Sequence, residues 1–114
     1  MRLVHGPSGS VLASRLLEPT TPLGRALGLL TRSGLPQGTG MWLHPCRSIH
    51  TVGMRFPIDA VFVDRRSVVV RVDAWVRPGR MVPFVRRARG VIELPAGTAD
   101  GLTVGDQLRF VPGD

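Results

Sequence analysis

The stretch Ile58–Asp64 (IDAVFVD), followed by Arg65-Arg66-Ser67 and the run Val68–Val76 (VVVRVDAWV), decides the fold. β-Branched and aromatic side chains favour extended backbone, and the three polar residues between the runs suit a turn. The spacing predicts a hairpin at the centre of the chain. Working outward, Met41–His44 reads as a strand stopped by Pro45 and Val91–Leu94 as a strand closed by Pro95-Ala96-Gly97. Gln107–Val111 reads as a last strand after a Gly-Asp turn, and residues 1–18 as a hairpin about Gly6-Pro7-Ser8-Gly9. One helix is expected over Thr21–Gly34. Thr21 would cap it, Pro22 would take the first helical position, and Leu23, Ala26, Leu27 and Leu30 recur with the helical period. Cys46–Pro57 has no clean period, and Arg77–Gly90 reads as a basic loop. The expected fold class is therefore mostly β (α+β). We expect a small, largely antiparallel β-barrel-like sheet with one or two short helices packed at its side, in a single domain over residues 1–114.

Composition narrows the function. The chain has 114 residues, 43% hydrophobic and 20% charged, which suits one globular domain and excludes wholesale disorder. Its single cysteine excludes an intrachain disulfide framework and any zinc site needing two thiolates from one chain. The net charge is +7, and all fifteen basic residues are arginine. GC-rich coding would produce that bias without function. A functional reading is an anionic partner, because guanidinium forks carboxylate and phosphate bidentately. Arg77, Arg80, Arg86, Arg87 and Arg89 form a local cluster. Aromatic residues are only 5%, with Trp75 and Phe84 the ones near that cluster, so the signal for nucleic acid is weak. No run approaches the roughly 18 apolar residues of a membrane helix. His5, Gly6, Ser8 and Ser10 break the apolar run a secretory signal needs, so no membrane partner is expected and the expected compartment is the cytoplasm.

Reactive groups concentrate at His44, Cys46, His50 and Asp59. Cys46 would become a nucleophile if His50 took its proton and Asp59 oriented the imidazole. The same four residues are types that bind zinc, but their spacing is a weak metal pattern, and neither metal nor cofactor is expected. Against catalysis stands a packing role, with Cys46 a small hydrophobe and His50 a hydrogen-bonded ring. Asp59 and Glu93 interrupt apolar strands; a buried carboxylate needs partners, which for Asp59 would be loop N–H groups, Arg47 or Arg55. If Asp59 and Glu93 project from one sheet face, they line a polar cleft. Asp64 and Asp106 read as turn residues. Arg47, Arg55, Arg80, Arg86, Arg87 and Glu93 are the candidate ligand-binding residues.

The block CRSIHTVGMRFPIDAVFVD, with RALGLLTRSGL upstream and VIELPAG and a final GD downstream, resembles the domain of unknown function 192 family, also called uncharacterised protein family 0127. The resemblance runs from about Leu16 to Val111, with Pro57-Ile58-Asp59 before Phe62 and Asp64 as its most specific element. It implies a compact β-rich fold with one or more small helices, and it brings no established activity with it. The leading expectation is a binding or accessory module for an anionic small molecule or a protein partner. The alternative is a hydrolase or transferase using Cys46 and His50. Nothing in the sequence indicates the oligomeric state.

Overall fold

The computed structural model describes residues 1–19, 21 and 33–113. Ten strands build it: β1 (Arg2–His5), β2 (Val11–Ala13), β3 (Arg15–Leu17), β4 (Thr39–Leu43), β5 (Ile49–His50), β6 (Ile58–Val63), β7 (Val69–Val76), β8 (Met81–Val82), β9 (Gly90–Pro95) and β10 (Leu108–Val111). They form three sheets, of five strands in the order β3-β4-β9-β6-β7, of three in the order β10-β1-β2, and of two, β5-β8. All pairings are antiparallel except β3 with β4.

This corrects the expected architecture in two respects. No sheet closes into a barrel, since β3 and β7 are the two edges of the large sheet and do not pair with each other. Among the described residues there is no helix, so the α+β class gives way to an all-β one; the helix expected over Thr21–Gly34 lies, but for Thr21, Ser33 and Gly34, outside them. The second arm of the hairpin expected over residues 1–18 breaks at Ser14 into β2 and β3, which join different sheets.

The large sheet is the middle layer. On one face Trp42, Val61, Val63, Ile92 and Leu94 pack against Leu3, Ala13 and Leu108 of the three-stranded sheet. On the other face Met41, Ile58, Ala60, Phe62 and Val91 pack against Ile49 and Val82 of the two-stranded sheet, with Met54 and Ala88 from its flanking loops. Every residue of β6 and β9 is consequently buried. Two-sided burial explains why IDAVFVD is a near-continuous apolar run rather than an alternating one. The close packing demands glycine at residue 90: a Cβ there would run into the Trp42 ring at Cη2 and lie 2.8 Å from the Leu43 carbonyl oxygen.

Candidate functional site

The 77–90 segment is held by hydrogen bonds at both ends. Thr51 secures its start: the hydroxyl donates to the Arg77 carbonyl (2.5 Å) and accepts from the Arg80 N–H (2.9 Å). At its far end Val85 N–H donates to the Arg47 carbonyl (2.7 Å), Arg89 N–H to Val63 (2.8 Å) and Cys46 N–H to Arg89 (2.9 Å). These bonds draw together the 45–47 loop, the 87–89 segment and the end of β6, from which the β6–β7 turn departs. The result is a cavity of about 320 Å³ lined by Pro45, Arg47, Arg65, Arg87, Ala88 and Arg89.

Four guanidinium-bearing residues thus converge where the sequence offered only a scattered excess. Arg47 is fixed on two sides: its Nε donates to the Ala88 carbonyl (3.0 Å) and its guanidinium lies 5.4 Å from the centre of the Phe84 ring. Among the described residues no carboxylate pairs with Arg47, Arg65, Arg87 or Arg89. Sequence reading named Arg47 and Arg87 as ligand residues, placed Arg89 only in the cluster, and gave Arg65 to a turn. The missing signal was the Arg89–Val63 bond, which no local pattern encodes. Arg55, Arg80 and Arg86 do not line this cavity.

Elsewhere the candidate residues have other surroundings. The carboxylate of Asp59, fully buried, accepts three backbone N–H groups, from Trp75 (2.8 Å), Gly97 (2.9 Å) and Ala99 (2.8 Å). Asp59 thereby binds β6 to the bulge of β7, where Trp75 takes a positive φ of 52°, and to the turn after β9. Neither His50 nor an arginine side chain is among its partners. The half-buried Cys46 donates its thiol to the Ser48 carbonyl (3.0 Å) and packs on the second core cluster. Exposed His50 lies opposite Met81 on the outward face of the β5-β8 pair, whose inward residues are Ile49 and Val82. His44 stacks on Trp42, with ring centroids 4.7 Å apart, and bonds Glu18 (2.5 Å). Among the described residues no group of three His, Cys, Asp or Glu side chains is arranged to hold a metal ion.

Glu93 and Asp59 do not share a cleft. The register pairs Glu93 with Met41 and Ala60, and Asp59 with Leu94, so the two carboxylates leave opposite faces of the sheet. Glu93 is 5% exposed, and burial pushes its carboxyl up to about 7.

Two solved structures share this fold. A protein of unknown function from Novosphingobium aromaticivorans DSM 12444 superposes with a TM-score of 0.80 at 26% identity, covering 96% of this chain and 84% of that one. A Sinorhizobium meliloti 1021 protein, provisionally named a transcription regulator, gives a TM-score of 0.77 at 22% identity, over 95% and 89% of the two chains. Among curated proteins nothing matches. Residues 8–110 match the model of domain of unknown function 192, described as an uncharacterised ACR, and the chain belongs to that family.

Proposed function

We propose that this domain is a binding module for a small polyanion and that the cavity of Arg47, Arg65, Arg87 and Arg89 is its recognition site. The observation that carries the reading is four arginines on one 320 Å³ cavity with no carboxylate partner among the described residues. Like charges gathered in this way repel one another, and a bound anion removes that cost while accepting forked hydrogen bonds. Four positive charges exceed what a monoanion can offset, which favours a ligand with two or more anionic groups, such as a diphosphate. Arg47, already fixed by Ala88 and Phe84, loses little freedom on binding. A Cys46 and His50 enzyme finds less support, since the Cys46 thiol packs on the second core cluster and donates to the Ser48 carbonyl, while His50 is exposed and bonded to neither.

The test is calorimetric titration with inorganic pyrophosphate, using citrate as a polyanion without phosphorus. Arg87→Glu should weaken binding at least about tenfold, and added salt should weaken it further. Arg109→Ala, on β10 and away from the cavity, should leave it unchanged. Equal binding by parent, Arg87→Glu and Arg109→Ala proteins, or no binding of either anion, would overturn the proposal.

A further inference from the structure

Strand β1 ends at His5, and the turn that follows (HGPSG, residues 5–9) folds back through Gly9 N–H to the His5 carbonyl (2.7 Å) and His5 N–H to the Ser10 carbonyl (2.8 Å). Gly6 N–H donates to the Gln107 carbonyl (2.7 Å), and a Cβ on residue 6 would lie 2.5 Å from that oxygen, so only glycine lets the two turns meet. Their meeting brings Asp106, which the sequence marks only as a turn residue, against the end of β1. His5 Nε2 donates to Asp106 Oδ2 (2.8 Å), and Ser8 Oγ donates to His5 Nδ1 (2.6 Å). Side-chain exposures of 14% for His5 and 21% for Asp106 keep this line partly out of water. Beside it lies a cavity of about 260 Å³ lined by His5, Ser8, Ser10, Leu12, Asp100, Gly101 and Leu102.

We propose that Ser8, His5 and Asp106 act as a hydrolytic triad on short acyl esters bound in this cavity, an activity that uses no residue of the anion site. A serine, histidine and aspartate in one hydrogen-bonded line is recognised by geometry and roles, not by chain order. Here the serine meets Nδ1 and the aspartate Nε2, which fixes the imidazole with its proton on Nε2 and its lone pair toward Ser8. Asp106 is a positioning residue, itself held by the Thr103 N–H (3.0 Å). The Thr103 and His5 bonds hold its carboxyl below the usual aspartate range, which keeps it an anion. In the reaction Ser8 Oγ forms a bond to the acyl carbon while its proton passes to His5 Nδ1. The C–O bond to the alcohol then breaks, and the alcohol leaves with that proton. Water attacks the acyl-serine, gives its proton to His5, and the acid departs as Ser8 regains a hydrogen from the imidazole. Among the described residues the Ser8 N–H has no acceptor, so it is available to the developing oxyanion. Leu12 and Leu102 in the lining suit an apolar acyl group, while Asp100 in the same lining opposes an anionic one.

The experiment reacts the intact protein with diisopropyl fluorophosphate, in which the Ser8 O–P bond forms and fluoride leaves, and maps the adduct by mass spectrometry. Hydrolysis of p-nitrophenyl acetate and of its negatively charged succinate analogue is followed in parallel. We expect the adduct on Ser8, preference for the neutral ester, and at least about a 100-fold loss of hydrolysis in Ser8→Ala and His5→Gln. Asp106→Asn should lose the activity and Asp106→Glu restore part of it, with Ser14→Ala and Cys46→Ala unchanged. Ser8 is exposed, and its hydroxyl, which also accepts the Ser10 N–H (3.2 Å), makes only surface bonds, so an unfolding midpoint close to the parent's shows that Ser8→Ala folds and that its loss of hydrolysis is not a loss of fold. An adduct absent from Ser8, or hydrolysis undiminished in Ser8→Ala, overturns the proposal.

Discussion

Glu93→Gln offers a sharp test of how the middle sheet is buried. The Glu93 carboxyl sits between Met41 and Ala60 with no cationic partner among the described residues, and burial raises it from the usual 4.5 to about 7. Below pH 4.5 the side chain is protonated in both folded and unfolded chains and stability does not depend on it. Between pH 4.5 and 7 the unfolded chain releases the proton and the folded chain keeps it, so stability falls as pH rises. Above 7 both are ionised and the loss levels off. At about 1.4 kcal/mol per pH unit over a gap of about 2.5 units, the loss comes to about 3 kcal/mol. Glutamine has nearly the same shape and cannot ionise. Glu93→Gln should therefore be close to the parent at pH 4.5 and more stable than it by about 3 kcal/mol at pH 8. Urea unfolding of both proteins at four pH values measures the difference and cancels every other titrating group. Parallel stability curves would refute the desolvation argument. A parent that gains on the variant as pH rises would show instead that Glu93 is held as an anion by a cation.

Two further substitutions probe the framework beneath the candidate sites. Gly90→Ala places a methyl group against Trp42 and the Leu43 carbonyl, and should destabilise by about 1–3 kcal/mol in chemical denaturation. A neutral effect would mean the β4–β9 contact yields easily. Asp59→Ala leaves the Trp75, Gly97 and Ala99 N–H groups without their acceptor, and should cost roughly 3–5 kcal/mol. Hydrogen exchange should show those three amides, on β7 and in the turn after β9, losing protection before the amides of β6, and unchanged protection would count against the clamp.

The strands were legible wherever side-chain type alone selects extended backbone. Ile58–Val63 and Val69–Val76 differ from the expected hairpin strands by one residue each. The layer arrangement was not legible, because an apolar run reports burial on both faces without saying which elements do the covering. The covering elements on one side are β5 and β8, two residues each, too short for any period to register. The function of Asp59 was half legible: a lone carboxylate in an apolar strand implied N–H partners, but their identity depends on the β7 bulge and the 97–99 turn. The arginine cavity depends on contacts between segments distant in sequence, so composition gave the charge and withheld the convergence.

One turn, residues 64–68, links both candidate sites. Asp64 Oδ1 accepts the N–H groups of Arg66 (2.8 Å) and Val68 (3.0 Å), and its backbone N–H donates to the Val68 carbonyl (3.0 Å). That closes the turn tightly enough for Ser67 to take a positive φ of 62°. Arg65 is presented to the cavity from this fixed point rather than from a free loop. The turn's other side is tied to the Asp106 segment. Gln107 Nε2 donates to the Arg66 carbonyl (2.6 Å), Leu108 N–H to Ser67 (2.9 Å) and Val69 N–H to the Asp106 carbonyl (2.9 Å). Asp64, a turn residue by sequence, therefore fixes the backbone that carries Arg65, and that same backbone is bonded to the segment carrying Asp106. A polyanion held by Arg65 would act on the same short backbone segment that positions Asp106. If the two sites communicate, the coupling has a physical carrier of five residues, and no movement of the buried sheet is needed to transmit it.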